Sequence, residues 1–352
     1  MADTAVLNAK EPYTPVDEDF RLKENNTDIL VDSNFASQSF WKEVVARFWR
    51  KKSAVFGLIF VLIITFFAFV GPSMNSYTYS GQDLSKKNLA PRIPLIEYTG
   101  FFDGHENINT TSGTKTVNLY FENKLTDTFY WFGSDNFGRD IWTRTWSGAQ
   151  VSLIIAVAAA IIDMIIGMSY GLISGYFGGK VDMVMQRILE IANGIPRLVI
   201  VTLLLLVFKP GMLTIIVALM LTEWVGMSRI ARAEMLKLKE QEFVLASRTL
   251  GAGSMHIIFS EVLPNIIGPI ITQVMFSIPT AIFTEAFLSF VGLGIPVPRC
   301  SLGSLISEGF NSFTTHPYQI IPPIVVMALL MLSFNLVADG LREALDPKLK
   351  EM

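Results

Sequence analysis

An all-α integral membrane protein with six transmembrane helices is the fold class this sequence predicts, and three observations predict it. Of 352 residues, 51% are hydrophobic and only 17% are charged, where a soluble globular domain carries about 25% charged residues. Mean hydropathy is +0.44. Apolar runs of roughly 20 residues, the length that crosses a bilayer as a helix, recur along the chain. The formal net charge of −3 offers no basic face, so no nucleic-acid partner is expected. One cysteine, Cys300, excludes an intramolecular disulfide framework and any cysteine-built zinc or iron–sulfur site. His105, His256 and His316 stand far apart and fit no ligand spacing, so no metal is expected. Transport outranks chemistry on these grounds.

The first 40 residues carry eight acids against three basic residues and no apolar signal core. Residues 1–38 are therefore expected as a polar cytoplasmic tail rather than a secretory signal. In 39–52, Phe40-Trp41, Val44-Val45 and Phe48-Trp49 recur at helical spacing with Lys42, Glu43, Arg47 and Arg50 between them, the pattern of a helix lying in the headgroup region. Span one, 53–72, is free of charge. After the long loop 73–147, Gln150–Gly179 is interrupted only by Asp163. Ile188–Phe208 is interrupted by Glu190, Pro196 and Arg197; Gly211–Ser228 contains Glu223, and Ile266–Val291 contains Glu285. Gln319–Ala338 has Pro322 and Pro323 in its first turn, where proline costs least.

Lys and Arg near span ends set the orientation. Arg47, Arg50, Lys51 and Lys52 precede span one; Arg229, Arg232, Lys237, Lys239 and Arg248 lie between spans four and five; Arg342, Lys348 and Lys350 follow span six. Both termini and the loop 229–263 are expected in the cytoplasm, with 73–147 outside and 342–352 a short cytoplasmic tail.

Two catalytic patterns are excluded. Gly167-Met-Ser169-Tyr-Gly171 has the spacing of a nucleophile elbow but falls inside a span; Gly167, Gly171 and Gly175 instead place three small residues on one helix face for close packing. Gly175-Tyr-Phe-Gly-Gly-Lys180 is one residue short of a P-loop, and Val181 replaces its Ser/Thr. No cofactor is expected on this chain.

Between spans four and five, helix formers run to Leu250, and Gly251 suits a left-handed stop. Ser254 can cap a second short helix, and Pro264 suits the first turn of span five. The expected product is a short helix hung beneath the membrane with both ends fixed, a knob suited to a partner's groove.

This segment, Ala246-Ser247-x3-Gly251-x11-Leu263-Pro264, resembles the EAA loop of permease subunits of binding-protein-dependent ABC importers, with Leu245 in place of the usual Glu, Ser247 of the second Ala and Glu261 of an Ile. Other segments resemble the oligopeptide/dipeptide branch: Phe132-Gly-Ser-Asp-Asn-Phe-Gly-Arg-Asp140, Ser174-Gly-Tyr-Phe-Gly-Gly-Lys-Val-Asp182, and Glu285-Ala-Phe-Leu-Ser-Phe-Val-Gly-Leu-Gly294. The ending Asn335-Leu-Val-Ala-Asp-Gly-Leu-Arg-Glu-Ala-Leu-Asp-Pro347 is similar to that of its C-type subunit.

The resemblance implies a five-helix permease core over 148–341. It also implies a homologous second permease subunit, two ATP-binding subunits holding ATP and Mg, an extracytoplasmic substrate-binding protein, and peptide as substrate. Coupling to the nucleotide-binding subunit is then expected through Glu242, Phe243, Ala246, Ser247, Arg248, Gly251, Met255, Leu263 and Pro264. Acids within spans are costly unless they face a cavity or a partner, so Asp163, Glu190, Glu223 and Glu285 are translocation-pathway candidates. Glu190 and Arg197, seven residues apart, are too distant for a direct pair on a straight helix. Gly138, Arg139 and Asp140 are candidates for the outer mouth or binding-protein docking. Two alternatives stay open: import of nickel or glutathione by the same architecture, and a proton-coupled secondary transporter relaying through Asp163 and Glu223.

Overall fold

The computed structural model describes residues 40–345 apart from 101, 111, 112 and 126. The expected polar tail 1–38, and residues 346–352 with Lys348 and Lys350, lie outside the described residues. The chain divides into two units, 1–43 and 44–352. Of the first, only the opening turn of helix α1 (Phe40–Arg50) is described; the second holds everything below.

Helix α2 (Lys52–Val70) is apolar all round, as a lipid-facing span is. It buries Ala54, Gly57, Ile64 and Ala68 and leaves Phe56, Ile59, Leu62 and Phe66 exposed. Its small face seats helix α14 (Ile321–Leu345): a Cβ on Gly340 would stand 2.2 Å from that of Ala54. Val44 and Phe48 of α1 join this seam with Val337, Ala344 and Leu345.

The region expected only as an outer loop is folded. It carries an antiparallel hairpin, β1 (Glu106–Thr110) with β2 (Gly113–Val117), and a one-turn helix α3 (Leu119–Glu122). Its small core is Leu89, Tyr120 and Tyr130. Tyr120 donates to the Ala90 carbonyl at 2.8 Å, and Tyr77 stacks on Tyr130 at 4.5 Å. Burial pushes the Tyr120 and Tyr130 phenols above their ordinary range.

Helix α4 (Ile141–Ile162) runs through a π-turn, Asp163–Gly167, into α5 (Met168–Phe177). Next come α6 (Gly179–Gly194) and α7 (Arg197–Val207), bent against each other by 81°. The expected span Ile188–Phe208 straddles this break and counts as one span only if the bent pair crosses together. Pro196 has no N–H to give the helix and drives Ile195 into extended backbone, φ −87° and ψ 123°.

Helices α8 (Met212–Thr222) and α9 (Trp224–Leu238) form one span with Glu223 at their junction. A short helix α10 (Glu242–Thr249) follows. Helix α11 (Ser254–His256) continues through a second π-turn, Ile257–Val262, into α12 (Leu263–Phe290). Pro264 lies in the first turn of α12, as expected, while the π-turn makes the span continuous back to Ser254. Ser254 is the first helical residue, and the cap position belongs to Gly253. Helix α13 (Leu302–Asn311) precedes α14. Among the described residues five helices are long and apolar enough to span a membrane, or six if the bent pair counts as one.

The main core is built from α2, α4, α8, α12 and α14, around Ile64, Trp146, Ala156, Leu219, Ile282 and Leu330. A second core joins α5, α9, α10 and the start of α12, around Leu172, Met227, Met235, Val244 and Ile258. The glycine face of the first π-turn and α5 makes this core possible, because a Cβ on Gly171 would come within 2.2 Å of the Ser228 carbonyl oxygen.

Candidate functional site

Helix α10 is held by its single buried residue, Val244, which packs in the second core. Its end is a Schellman motif. Gly251 takes φ +87°; its N–H donates to the Arg248 carbonyl at 3.1 Å, and the Ala252 N–H donates to the Ser247 carbonyl at 3.0 Å. Around this anchor Phe243, Leu245, Leu250 and Met255 are exposed, Leu250 by 88%. Glu242, Ala246 and Arg248 share that exposed surface and Ser247 is half-buried. The Arg248 guanidinium lies 5.4 Å from the Tyr176 ring centre, within cation–π range. Leu263 packs half-buried in the second core, and Pro264 is exposed beyond it. The structure thus brings Glu242 to Met255 together at one end of the molecule and puts Leu263 and Pro264 a turn or two along the span.

A clamp beside this knob went unassigned in the sequence, although Asp182 ends one of the quoted motifs. Asp182 receives Arg232 Nε at 2.6 Å and its second nitrogen at 2.5 Å, together with the Ser174 hydroxyl at 2.5 Å. Gly178 (φ +60°) and Gly179 (φ +52°) turn the chain so that α6 presents Asp182 to α9. The pair ties the α5–α6 turn to the span that carries α10.

The four acids of the spans part company. Asp163 is buried in the first π-turn, with one oxygen taking the Ser277 hydroxyl at 2.5 Å and the other unpartnered. Glu223 pairs with Arg197 at 2.7 Å. Glu190 pairs with Arg187 and is exposed. Seven residues already keep Arg197 from Glu190, and the bend at Pro196 turns it onto the α8–α9 junction. Glu285 is wholly buried; Ser152 donates to it at 2.9 Å and Ser289 at 2.7 Å. Ser152 in turn accepts the Leu302 N–H at 3.2 Å, and Ser289 meets Ser301, the cap of α13, at 3.3 Å. Glu285 is therefore sealed among hydroxyls and fastens α4, α12 and α13 together.

At the end opposite α10, Gly138 has φ +71°, and a Cβ there would lie 1.8 Å from the Asp83 carbonyl oxygen. Asp140 caps α4, accepting from the Thr143 N–H at 2.8 Å and from Asn75 at 2.7 Å. Burial still raises its carboxyl above the usual range. Arg139 meets Asp135 at 2.5 Å and Glu308 at 2.6 Å. Gly138, Arg139 and Asp140 are all buried, which corrects their candidacy for binding-protein docking: the exposed neighbours are Asn136 and Phe137. A cavity of about 160 Å³ opens here between the lead-in to α4, α13 and the start of α14.

Comparison with known proteins places this arrangement. Residues 39–91 match the N-terminal TM domain of oligopeptide transport permease C. An oligopeptide transport system permease protein OppC of Bacillus subtilis is 40% identical over 90% of this chain and 92% of its own. A dipeptide transport system permease protein DppC of the same organism is 39% identical, covering 89% and 88%. The OppC of Escherichia coli K12 is 33% identical, covering 93% and 99%. Among solved structures, one of the MetNI methionine ABC transporter aligns with 58% of this chain and 96% of its own at 18% identity, TM-score 0.49. Residues 167–351 match the binding-protein-dependent transport system inner membrane component, and the chain belongs to that family of membrane-spanning permease subunits, in its permease C branch.

Proposed function

We propose that this chain is half of the translocation pathway of an ATP-driven importer of oligopeptides in a bacterial cell membrane, with both termini and the 229–263 loop in the cytoplasm. The observation that carries the reading is its likeness, over about nine-tenths of both chains, to permeases named for oligopeptide and dipeptide transport. The relatives are named for peptides, which favours that substrate over nickel or glutathione; no observation favours a proton-coupled transporter. The working assembly contains a homologous second permease, two ATP-binding subunits carrying ATP and Mg, and an extracytoplasmic binding protein that delivers the peptide.

Coupling follows from the shape of α10. An exposed apolar knob pinned by Val244 and closed by the Gly251 motif is already ordered, so docking into a groove of the ATP-binding subunit incurs little further entropy. Motion of that subunit passes through α10 to α9 and α12, which share the second core. Reconstitution with the partner subunits tests the proposal: ATP-dependent uptake of a labelled oligopeptide is expected. Gly251→Pro forces φ to about −65° and breaks the motif. It should insert and assemble with the second permease yet lose uptake; uptake at the unmodified rate would overturn the coupling role.

A further inference from the structure

The cavity at the outer mouth contains an arrangement that the import cycle above does not use. It is lined by Asp135, Arg139 and Arg144 from the lead-in and first turn of α4, by Leu305 and Glu308 of α13, and by Gln319 ahead of α14. Arg139 and Arg144 are among the most deeply buried side chains of the protein, 2% and 1% exposed. Both guanidiniums converge on Glu308: Arg139 donates to it at 2.6 Å, and Arg144 reaches its two oxygens at 3.0 Å each. The remaining counter-charge is Asp135, buried on the inner side, 2.5 Å from Arg139 Nε. Arg144 Nε is buried and makes no hydrogen bond; its nearest carboxylate oxygen, on Asp135, is 3.7 Å away.

Two buried arginines thus present a fork shaped for a carboxylate, and the carboxylate occupying it comes from the more exposed of their two acidic partners, since the Asp135 side chain is only 12% exposed. The Glu308 side chain is 35% exposed, while those of the arginines are 1–2%. It rides on a short helix, and the space beside it is an order of magnitude larger than the roughly 10–15 Å³ a single water requires. Replacing Glu308 with another carboxylate conserves the charge of the cluster and the bidentate geometry that arginine favours. It also offers Arg144 Nε an acceptor.

We propose that Arg139 and Arg144 form a carboxylate-binding site at the outer mouth, self-occupied by Glu308 at rest and taken over by the terminal carboxylate of an incoming peptide. The inference rests on the peptide reading above. Every linear peptide with a free C-terminus carries this group whatever its side chains, so the site reads peptide without reading sequence. Exchange also has a mechanical consequence. Glu308 released from the fork frees α13, whose cap, Ser301, is joined through Ser289 to Glu285 and Ser152 inside the spans. Arrival of substrate outside is thereby transmitted to the packing of α4 against α12.

The test uses the full-length chain in lipid nanodiscs, with a polarity-sensitive fluorophore on Phe310→Cys, an exposed position two residues from Glu308. Native Cys300 is buried and stays unlabelled. Trialanine and acetate should shift the signal saturably, whereas trialanine amide and acetamide should not. An internal competitor divides the intrinsic Kd by the fraction of time it leaves the site free; with the fork open about one-tenth of the time, Glu308→Gln should bind trialanine about tenfold more tightly. Glu308→Asp, which keeps the charge on a shorter arm, should fall between and guards against a misfolded Gln variant. Equal response to trialanine and its amide, a response to acetate but not to trialanine, or an unchanged affinity in both variants would overturn the site. Uptake of trialanine by the complete assembly is measured in parallel. Carboxylate-selective binding without uptake would overturn the importer reading and leave the site standing; uptake without carboxylate selectivity would do the reverse.

Discussion

Glu285 has the surroundings of a structural acid. Its oxygens receive the hydroxyls of Ser152 and Ser289, on α4 and α12, and the chain of contacts continues to the cap of α13. Glu285→Ala would leave those hydroxyls without acceptors and open a void, a loss of about 2–4 kcal/mol. Glu285→Gln retains the shape and an accepting oxygen and should cost about 1 kcal/mol or less. Thermal unfolding in detergent, compared with uptake per assembled complex, checks both; a stable Ala variant that assembles but does not transport would restore a pathway role. Cys300 offers a second check on packing. Burial pushes its thiol up to about 11, so at pH 8 only about 0.1% is thiolate. Maleimide labelling should stay slow and rise about tenfold per pH unit through pH 10, where an exposed thiol of pKa near 8.5 has already levelled off. The acids show why pairing escapes a sequence reading: spacing rules tie Glu190 to its own helix, and only the Pro196 bend delivers Arg197 to Glu223.

Local signals place the stop of α10 but not the cap of α11, which is Gly253 rather than Ser254, and longer-range misreadings occur where a helix absorbs an irregularity. Gly251 stops α10 because a left-handed backbone is a property of the residue and its immediate neighbours. Pro264 sits in the first turn of α12, as proline prefers, but the π-turn that ends at Val262 carries the span back to Ser254, and nothing in the sequence marks such a turn. The small stripe Gly167, Gly171, Gly175 was legible as a packing face, but its partner α9 was not. Gly171→Leu should separate α5 from α9, since even a Cβ meets the Ser228 carbonyl at 2.2 Å. A loss of about 3 kcal/mol or more is expected, with weaker coupling because α9 carries α10. Asp182→Asn, which removes the charge clamp without changing volume, should cost about 1–2 kcal/mol because the pair is only partly screened. Melting curves of the two variants rank these contacts, and a larger loss for Asp182→Asn would reverse the order argued here.

Across the molecule, the arrangement has one end around α10, proposed to couple, and another around Arg139, Arg144 and Glu308, proposed to face outward, joined by α4 and α12. The orientation proposed from Lys and Arg placement is tested by single cysteines in a Cys300→Ser background. Leu250→Cys should label only from the cytoplasmic side, and Tyr98→Cys, on the folded outer segment, only from outside; the opposite pattern would invert the topology. Composition and apolar length determined that the chain lives in a membrane. The ordered motifs sufficed for its family, because both signals are additive along the chain and need no knowledge of contacts. Tertiary structure alone decided that residues 71–140 form a small core of their own, that Glu285 is sealed among serines, and that Glu308 closes on two arginines more than 160 positions earlier. Those outcomes depend on where helices cross, and crossing is set by the shape of small-residue faces and by bends at proline and π-turns. Such geometry joins positions that the sequence keeps far apart.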